Sequence, residues 1–359
     1  MPAAATETEH DAIEWGIRDS ATRLRRWGGD QVHPLPLPPS PGCKIGSGES
    51  CAIRITDPRV SREHALLTRA YERWFVSDLA SKNGLWHDGD RRAAFVLVPG
   101  LEIMLGTTTL IAESPRSIAL HGFLARLLGF AGGRRGAVDH ALRSIRMAAT
   151  RRTALTLTGD GDLVPIAQAL HRHTLGDDRP FIVCDPRRRD TEESVRAASN
   201  QPSGMAGFEA ATGGSLCVHR ARLPPDFAAV LARLRDPASR VQLFVCSQRH
   251  RGCEPSLVVP IHVPRLGNRR PELPRIVDEY ALDAAEALDA PPMLFTSDDR
   301  AWVLKHAATS LSEIEKATLR LTACRASGSL NEAAARLGMA TVSLTRWLRR
   351  RVPPKGFES

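Results

Sequence analysis

The 359-residue chain has no Cys-x-x-Cys pair, few lysines and no long apolar run, and each absence removes a class of protein. Its seven cysteines (positions 43, 51, 184, 217, 246, 253 and 324) are scattered and odd in number. That argues against a disulfide framework or a zinc site and for a reducing compartment. No apolar run approaches the roughly 18 residues that cross a bilayer, so no membrane partner is expected. The opening stretch MPAAATETEHDAIEW is acidic where a secretory signal would be basic and then apolar, so a cytoplasmic protein is expected. Only five of the 49 basic residues are lysine. A net charge of +9 and a pI near 9.6 permit a polyanionic partner. Arginine enrichment also follows from a GC-rich genome, so the positions of the arginines say more than their number.

What is present divides into three rhythms. Residues 33–42, HPLPLPPSPG, hold five prolines and are expected to be an extended linker closing an N-terminal segment, 1–42. From 43 to 114 the short apolar runs IRI, HALL, WFVSDL, AFVLV and LEIMLGTTTLIAES alternate with turn residues, predicting an all-β sandwich. From 115 to 295 helical patterns alternate with buried strands (TALTLTG, PFIVCDP, SLCVH, VQLFVCS), predicting an α/β domain with a parallel sheet. Beyond Thr296 the pattern is all-α, with a helical lid or linker over 296–326 and a last unit over 327–359.

In the stretch VSREHALLTRAYERWFVSDLASKNG, polar clusters Ser61-Arg62-x-His64 and Ser81-Lys82-Asn83-Gly84 bracket two apolar runs. An antiparallel hairpin would bring both clusters to one edge, where hydroxyl, amide and cationic donors suit a phosphate. The same residues also fit ordinary hairpin turns. The block CKIGSGESCAIRITDPRVSREHALL…WFVSDLASKNGLWHDG…LEIMLGTTTL resembles a forkhead-associated (FHA) domain, a sandwich that binds phosphothreonine peptides. The resemblance implies that Ser61 contacts phosphate, Asn83 the peptide backbone, and Arg62 or Lys82 adds charge, while Gly46, His64 and Gly84 shape the loops. Relatives carry an arginine after the first glycine; here Ser47 stands there. Losing one charge-assisted contact would cost on the order of 1.5–3 kcal/mol.

The middle domain resembles the AAA+ domain of sigma-54-dependent activators, through DRPFIVCDP, GFEAATGGSLCVHRARLPPDFAAVLARLRD, VQLFVCSQR and VVPIHVPRLGNRRPELPRIVDEY. The resemblance places a nucleotide site at Gly159, Gly161, Leu163, His219, Arg220 and Gln248. A phosphate-cradling loop needs a Gly-Lys pair, but Leu163 stands where the lysine should be, beside Asp160 and Asp162. His219-Arg220 replaces the acidic pair that holds magnesium, Gln248 replaces the sensing Asn, and no GAFTGA loop lies between Asp190 and Phe208. A non-hydrolysing domain is expected, with no catalytic residue, no metal and no cofactor.

In SGSLNEAAARLGMATVSLTRWLRRR two helical patterns meet at Gly338. Leu330, Ala333, Ala334 and Leu337 share one face of the first, and Leu344 and Leu348 turn inward from the second. The segment resembles the Fis-type helix-turn-helix that ends sigma-54 activators. That implies base or phosphate contacts from Thr341, Val342, Thr345, Arg346 and Arg349, aided by the RRRVPPK tail. The whole chain therefore predicts a homo-oligomeric DNA-binding regulator that answers to a phosphothreonine-bearing partner of a Ser/Thr kinase pathway. An ATP-driven activator and a phosphopeptide scaffold without DNA binding stay open as alternatives. His171 and His173, two apart on a helix, are expected to point apart and hold no metal. The clusters RLRR (23–26), GRRG (133–136) and RRR (187–189) are expected to be solvated, and SGMAG (203–207) is no nucleophile elbow, its centre being Met205.

Overall fold

The computed structural model describes residues 19–37, 42–70, 73–130, 134–189, 198–248 and 258–349. Strands β5 (Ala65–Ala70) and β6 (Arg73–Asp78) form the antiparallel pair expected from their alternation, with Ala65 opposite Asp78. They sit in a five-stranded sheet ordered β4 (Ile53–Arg54), β3 (Gly42–Gly46), β5, β6, β9 (Ala94–Leu97). A six-stranded sheet faces it, ordered β2 (Val32–Pro34), β1 (Arg23–Arg26), β11 (Thr108–Glu113), β10 (Glu102–Leu105), β7 (Leu85–His87), β8 (Asp90–Arg92). Inward residues of both sheets, including Ile45, Leu67, Val76, Leu85, Ile103 and Leu110, make one apolar layer.

Two expectations fail here. The linker over 33–42 is in part a strand: Val32–Pro34 pairs with Arg23–Arg25, and Gly42 opens β3. Pro34 is tolerated because β2 is the sheet's outer edge, where no further neighbour asks for its missing N–H. RLRR is not a solvated face but strand β1, paired with β11. Its alternation drives Leu24 into the sandwich core and leaves Arg25 only 3% exposed. The sandwich thus begins ahead of residue 43.

The chain then enters helices α1 (Pro115–Leu128) and α2 (Arg135–Thr150). Ser114 caps α1 through a reciprocal bond with Ser117, and Pro115 fills the first turn, where its missing N–H costs nothing. A parallel sheet follows, ordered β14 (Ser199–Asn200), β13 (Phe181–Cys184), β15 (Ser215–His219), β16 (Gln242–Ser247), β12 (Leu155–Gly159), β17 (Ile261–Val263). Helices α3 (Val164–Thr174), α4 (Gly204–Ala210) and α5 (Phe227–Leu234) connect the strands. Apolar clusters cover both sheet faces, which explains strands without polar alternation.

The remaining described chain is helical: α6 (Leu273–Ala287), α7 (Ser297–His306), α8 (Leu311–Arg325), α9 (Leu330–Arg336) and α10 (Thr341–Arg349). No helix among the described residues is long and apolar enough to cross a membrane. The two candidate histidines diverge: His171 bonds the Ser215 hydroxyl and the Arg179 carbonyl, while His173 stacks on Phe123.

Sandwich and parallel-sheet unit are joined through Arg25. Its guanidinium bonds Glu113 at 2.6 Å and Asp139 of α2 at 2.5 Å, and Asp139 also accepts from the Gly28 amide. Both carboxylates are 1% exposed. Asp139→Ala would leave the buried guanidinium one carboxylate short, with only Glu113 to balance it, and should cost about 3 kcal/mol. Asp30→Ala, which removes an exposed partner of Arg135, should cost less than about 1 kcal/mol. Urea denaturation of the two variants measures the difference.

Candidate functional site

The register of β5 and β6 brings the two polar clusters to one end of the hairpin, Ser61–His64 entering it and Ser81–Gly84 leaving it. A buried imidazole ties them. His64 Nδ1 accepts from the Ser61 amide at 3.1 Å, so Nε2 carries the proton and faces the Gly84 carbonyl and the Ser81 hydroxyl, each at 3.0 Å. Ser81 in turn donates to Asp78 at 2.5 Å and accepts from the Gly84 amide. Across the gap the Lys82 amide donates to Ser61 Oγ at 3.1 Å. Because that oxygen is accepting, the Ser61 hydroxyl proton stays available to an anion.

Two glycines let the loops close. A Cβ at Gly46 would lie 2.2 Å from the Arg62 carbonyl, and Gly84 holds a φ of +76° that favours glycine. Arg62 and Lys82 are exposed and their side chains make no hydrogen bond or ion pair among the described residues. Ser47 braces the loop instead of supplying charge: its hydroxyl donates to the Val60 carbonyl at 2.9 Å and its amide to the Ser61 carbonyl. Asn83 does similar work, its Nδ2 donating to the Arg59 carbonyl at 2.6 Å. The sequence reading missed Arg59, an exposed third cation beside Asn83 without a side-chain partner among the described residues.

Asp57, 5% exposed, locks this loop to the far motif. Its Oδ2 accepts from the Thr107 amide and hydroxyl at 2.7 and 2.6 Å and from the Thr108 hydroxyl at 3.1 Å, while Oδ1 takes the Arg59 amide at 2.8 Å. The Thr107 hydroxyl above all, with the other donors, holds the carboxyl well below the usual range despite its burial.

Residues 43–106 match the family model of the FHA domain. This block is an FHA domain. Three solved structures show what it resembles. One, from a study of phosphothreonine-dependent FHA domain interactions, is 25% identical, aligned over 26% of this chain and 94% of its own, with a TM-score of 0.24. The FHA domain of a Chlamydia trachomatis protein is 23% identical over 26% and 95%, with a TM-score of 0.24. Mycobacterium tuberculosis EmbR, solved with a low-affinity phosphopeptide, is 23% identical over 26% of this chain but 24% of its own, with a TM-score of 0.24. Among curated protein sequences none matches this chain significantly.

Outside the FHA domain, the loop after β12 is tied down by contacts from within the chain. Leu163 is 2% exposed within the apolar core, Asp160 pairs with Arg265 at 2.5 Å, and Asp162 accepts from the Val164 amide. Gln248 donates to the Gly161 carbonyl at 3.4 Å, and Gly159 lies against Val263. His219 Nδ1 accepts from the Ala221 amide and Arg220 is exposed. The GAFTGA comparison falls partly on 190–197, outside the described residues.

At the C-terminal end, Ala333, Ala334, Leu344 and Leu348 are buried together against Ala323, and Gly338 turns the chain at a φ of +59°. Thr341, Val342, Thr345, Arg346 and Arg349 line one shallow outer surface of α10, with Val342 68% exposed. The tail 350–355 lies outside the described residues.

The depressed Asp57 carboxyl has a pH signature. Its folded value lies below an unfolded value of about 3.9, so its contribution is present above that pH and is lost as pH falls through the folded value. Asp57→Asn should cost about 1–3 kcal/mol at neutral pH. Its stability deficit relative to wild type should shrink on acidification below about pH 4, measured by denaturant titration across pH.

Proposed function

We propose that the protein is a DNA-binding transcriptional regulator that docks a phosphothreonine-bearing partner through its FHA domain. The observation that carries the reading is the pairing of two donor-rich surfaces in one chain. Ser61, Arg59, Arg62 and Lys82 offer a proton and three unspent cations at the FHA edge, and α10 presents Thr341, Val342, Thr345, Arg346 and Arg349 outward. A phosphate dianion would take the Ser61 hydroxyl proton and the guanidinium and ammonium donors, the stronger class of hydrogen bond. Arg59 beside Asn83 offsets the charge lost where Ser47 replaces an arginine. On α10, Val342 suits a thymine methyl and the arginines suit guanine edges or phosphates.

The parallel-sheet unit serves on this reading as a non-hydrolysing spacer or oligomerisation platform. A buried Leu163 offers a triphosphate no charge, and Asp160 and Asp162 add charge of the wrong sign. The protein then acts by recruitment or repression in place of ATP-driven remodelling, and as a homo-oligomer it would read an inverted repeat.

Two measurements test it. Fluorescence anisotropy with a phosphothreonine peptide library should show binding that the unphosphorylated peptides lack, and Ser61→Ala/Arg62→Ala should weaken it about tenfold to a hundredfold. Peptide binding that ignores the phosphate would overturn the sensor assignment. Genomic fragments captured by the full chain should be specific and should disappear with Arg346→Ala/Arg349→Ala, and the salt slope should fall by about 1–2. Binding insensitive to those changes would leave a phosphopeptide scaffold in place of a regulator.

A further inference from the structure

We propose that the hollow at the N-terminal edge of the parallel sheet binds a small ligand carrying two or more phosphate groups. Strands β13, β15, β16 and β12 lie side by side, and the residues just ahead of each line one cavity of about 670 Å³. Arg179 precedes β13, Gly213 and Gly214 precede β15, Arg240 precedes β16, and Arg152 precedes β12. Arg116, from the first turn of α1, closes one side. Asp178 is the one carboxylate in this lining, so four guanidinium groups face a single negative charge.

The cations are not all committed elsewhere. Arg116 is partly occupied, its Nε donating to the His173 carbonyl at 3.1 Å and so covering the C-terminus of α3. Arg179 stands 3.6 Å from Asp178, with both side chains at least half exposed. The Arg240 side chain has no hydrogen bond or ion pair among the described residues. The hydroxyl of Ser239, also in the lining, is buried and has no hydrogen-bond partner among the described residues. The floor is bare backbone because it must be: a Cβ at Gly214 would sit 2.0 Å from the Pro180 carbonyl, and Gly213 holds a φ of +80°.

Geometry selects the ligand class. Guanidinium forks match phosphate oxygens in pairs, and their positive charge persists at every physiological pH. Arg179 and Arg152 enter from strands three places apart, a spread of about 14 Å at the usual strand spacing. Cations spread along an edge of that length are matched best by a chain of phosphates, or a nucleotide carrying them, which can meet several of them at once. The cavity volume falls in the range of small-molecule sites, roughly 300–1,000 Å³. The site is distinct from the loop after β12, which lies at the opposite, C-terminal end of the same strands and carries Asp160 and Asp162.

Isothermal titration of the full chain with inorganic tripolyphosphate is the test, with orthophosphate and citrate as comparisons. Tripolyphosphate should bind at least about tenfold more tightly than either. Arg179→Glu/Arg240→Glu should reduce its affinity by at least about tenfold, whereas Arg187→Glu/Arg188→Glu, an equal charge change on exposed arginines elsewhere, should leave it within about threefold. Arg240→Ala, which removes no side-chain hydrogen bond or ion pair among the described residues, should lower affinity without altering the circular dichroism spectrum. The loss caused by Arg179→Glu/Arg240→Glu should be just as large in a Ser61→Ala/Arg62→Ala background, where any anion held at the FHA edge is removed. The proposal is overturned by any of four results: no binding, equal binding of citrate, retained affinity in Arg179→Glu/Arg240→Glu, or a loss in that variant that disappears in the Ser61→Ala/Arg62→Ala background.

Discussion

One buried guanidinium orients the molecule. Arg25 lies on β1, bonds Glu113 at the end of β11, and reaches Asp139 on α2. Three charges removed from water stabilise one another only in a single geometry, because each unpaired member would be left in a medium of low dielectric. The sandwich is therefore held against the following helices by a contact with narrow tolerance. Further pairs, less buried on one side, extend the same seam: Arg143 bonds Glu102 and stacks over Trp27 at 4.2 Å, and the buried Arg146 reaches Asp88 at 2.8 Å. The last two acids lie on or beside strands of the sheet that carries β7. Trp86 of that strand donates to the Asn83 carbonyl at 2.9 Å. The candidate peptide edge and the seam are thus connected through one short strand.

Much of the FHA domain was legible in the sequence because its logic is local. Alternation in HALLTRA and WFVSD marks two strands, and a period of two dictates which residues point inward. The polar clusters at their outer ends then have to converge. The roles within the clusters were less legible. Ser47 and Asn83 turned out to spend their donors on the carbonyls of Val60 and Arg59, contacts between loops that no spacing rule encodes. Asp57 and Thr107 stand about fifty residues apart, yet they share the hydrogen bonds that close the domain.

The errors have the same origin. A proline-rich stretch argues for a linker until a neighbouring strand accepts it at an edge, and a run of arginines argues for a solvated surface until distant acids bury one of them. Both outcomes depend on partners far along the chain: β1 pairs with β11, some ninety residues later. Local composition carries no information about such pairing. The helices and parallel strands were easier, since long apolar periodicity leaves few alternatives.

The parallel sheet shows how separate a fold is from the chemistry at its ends. Ligands of these sheets bind past the C-terminal ends of the strands, where the order reverses, and β12 between β16 and β17 is that place. Here several groups at the crevice are taken up by other parts of the same chain. Leu163 joins the core, Asp160 takes Arg265, and Gln248 takes the Gly161 carbonyl. These contacts are made from within the chain and satisfy polar groups of the loop without an added ion. Positive charge is instead concentrated at the other end of the same strands, around Arg152, Arg179 and Arg240. A sheet is indifferent to which end carries charge, because its strand dipoles are small and its core is apolar on both faces. The chemistry at either end is set by the loops, and those can change without disturbing the ladder between them.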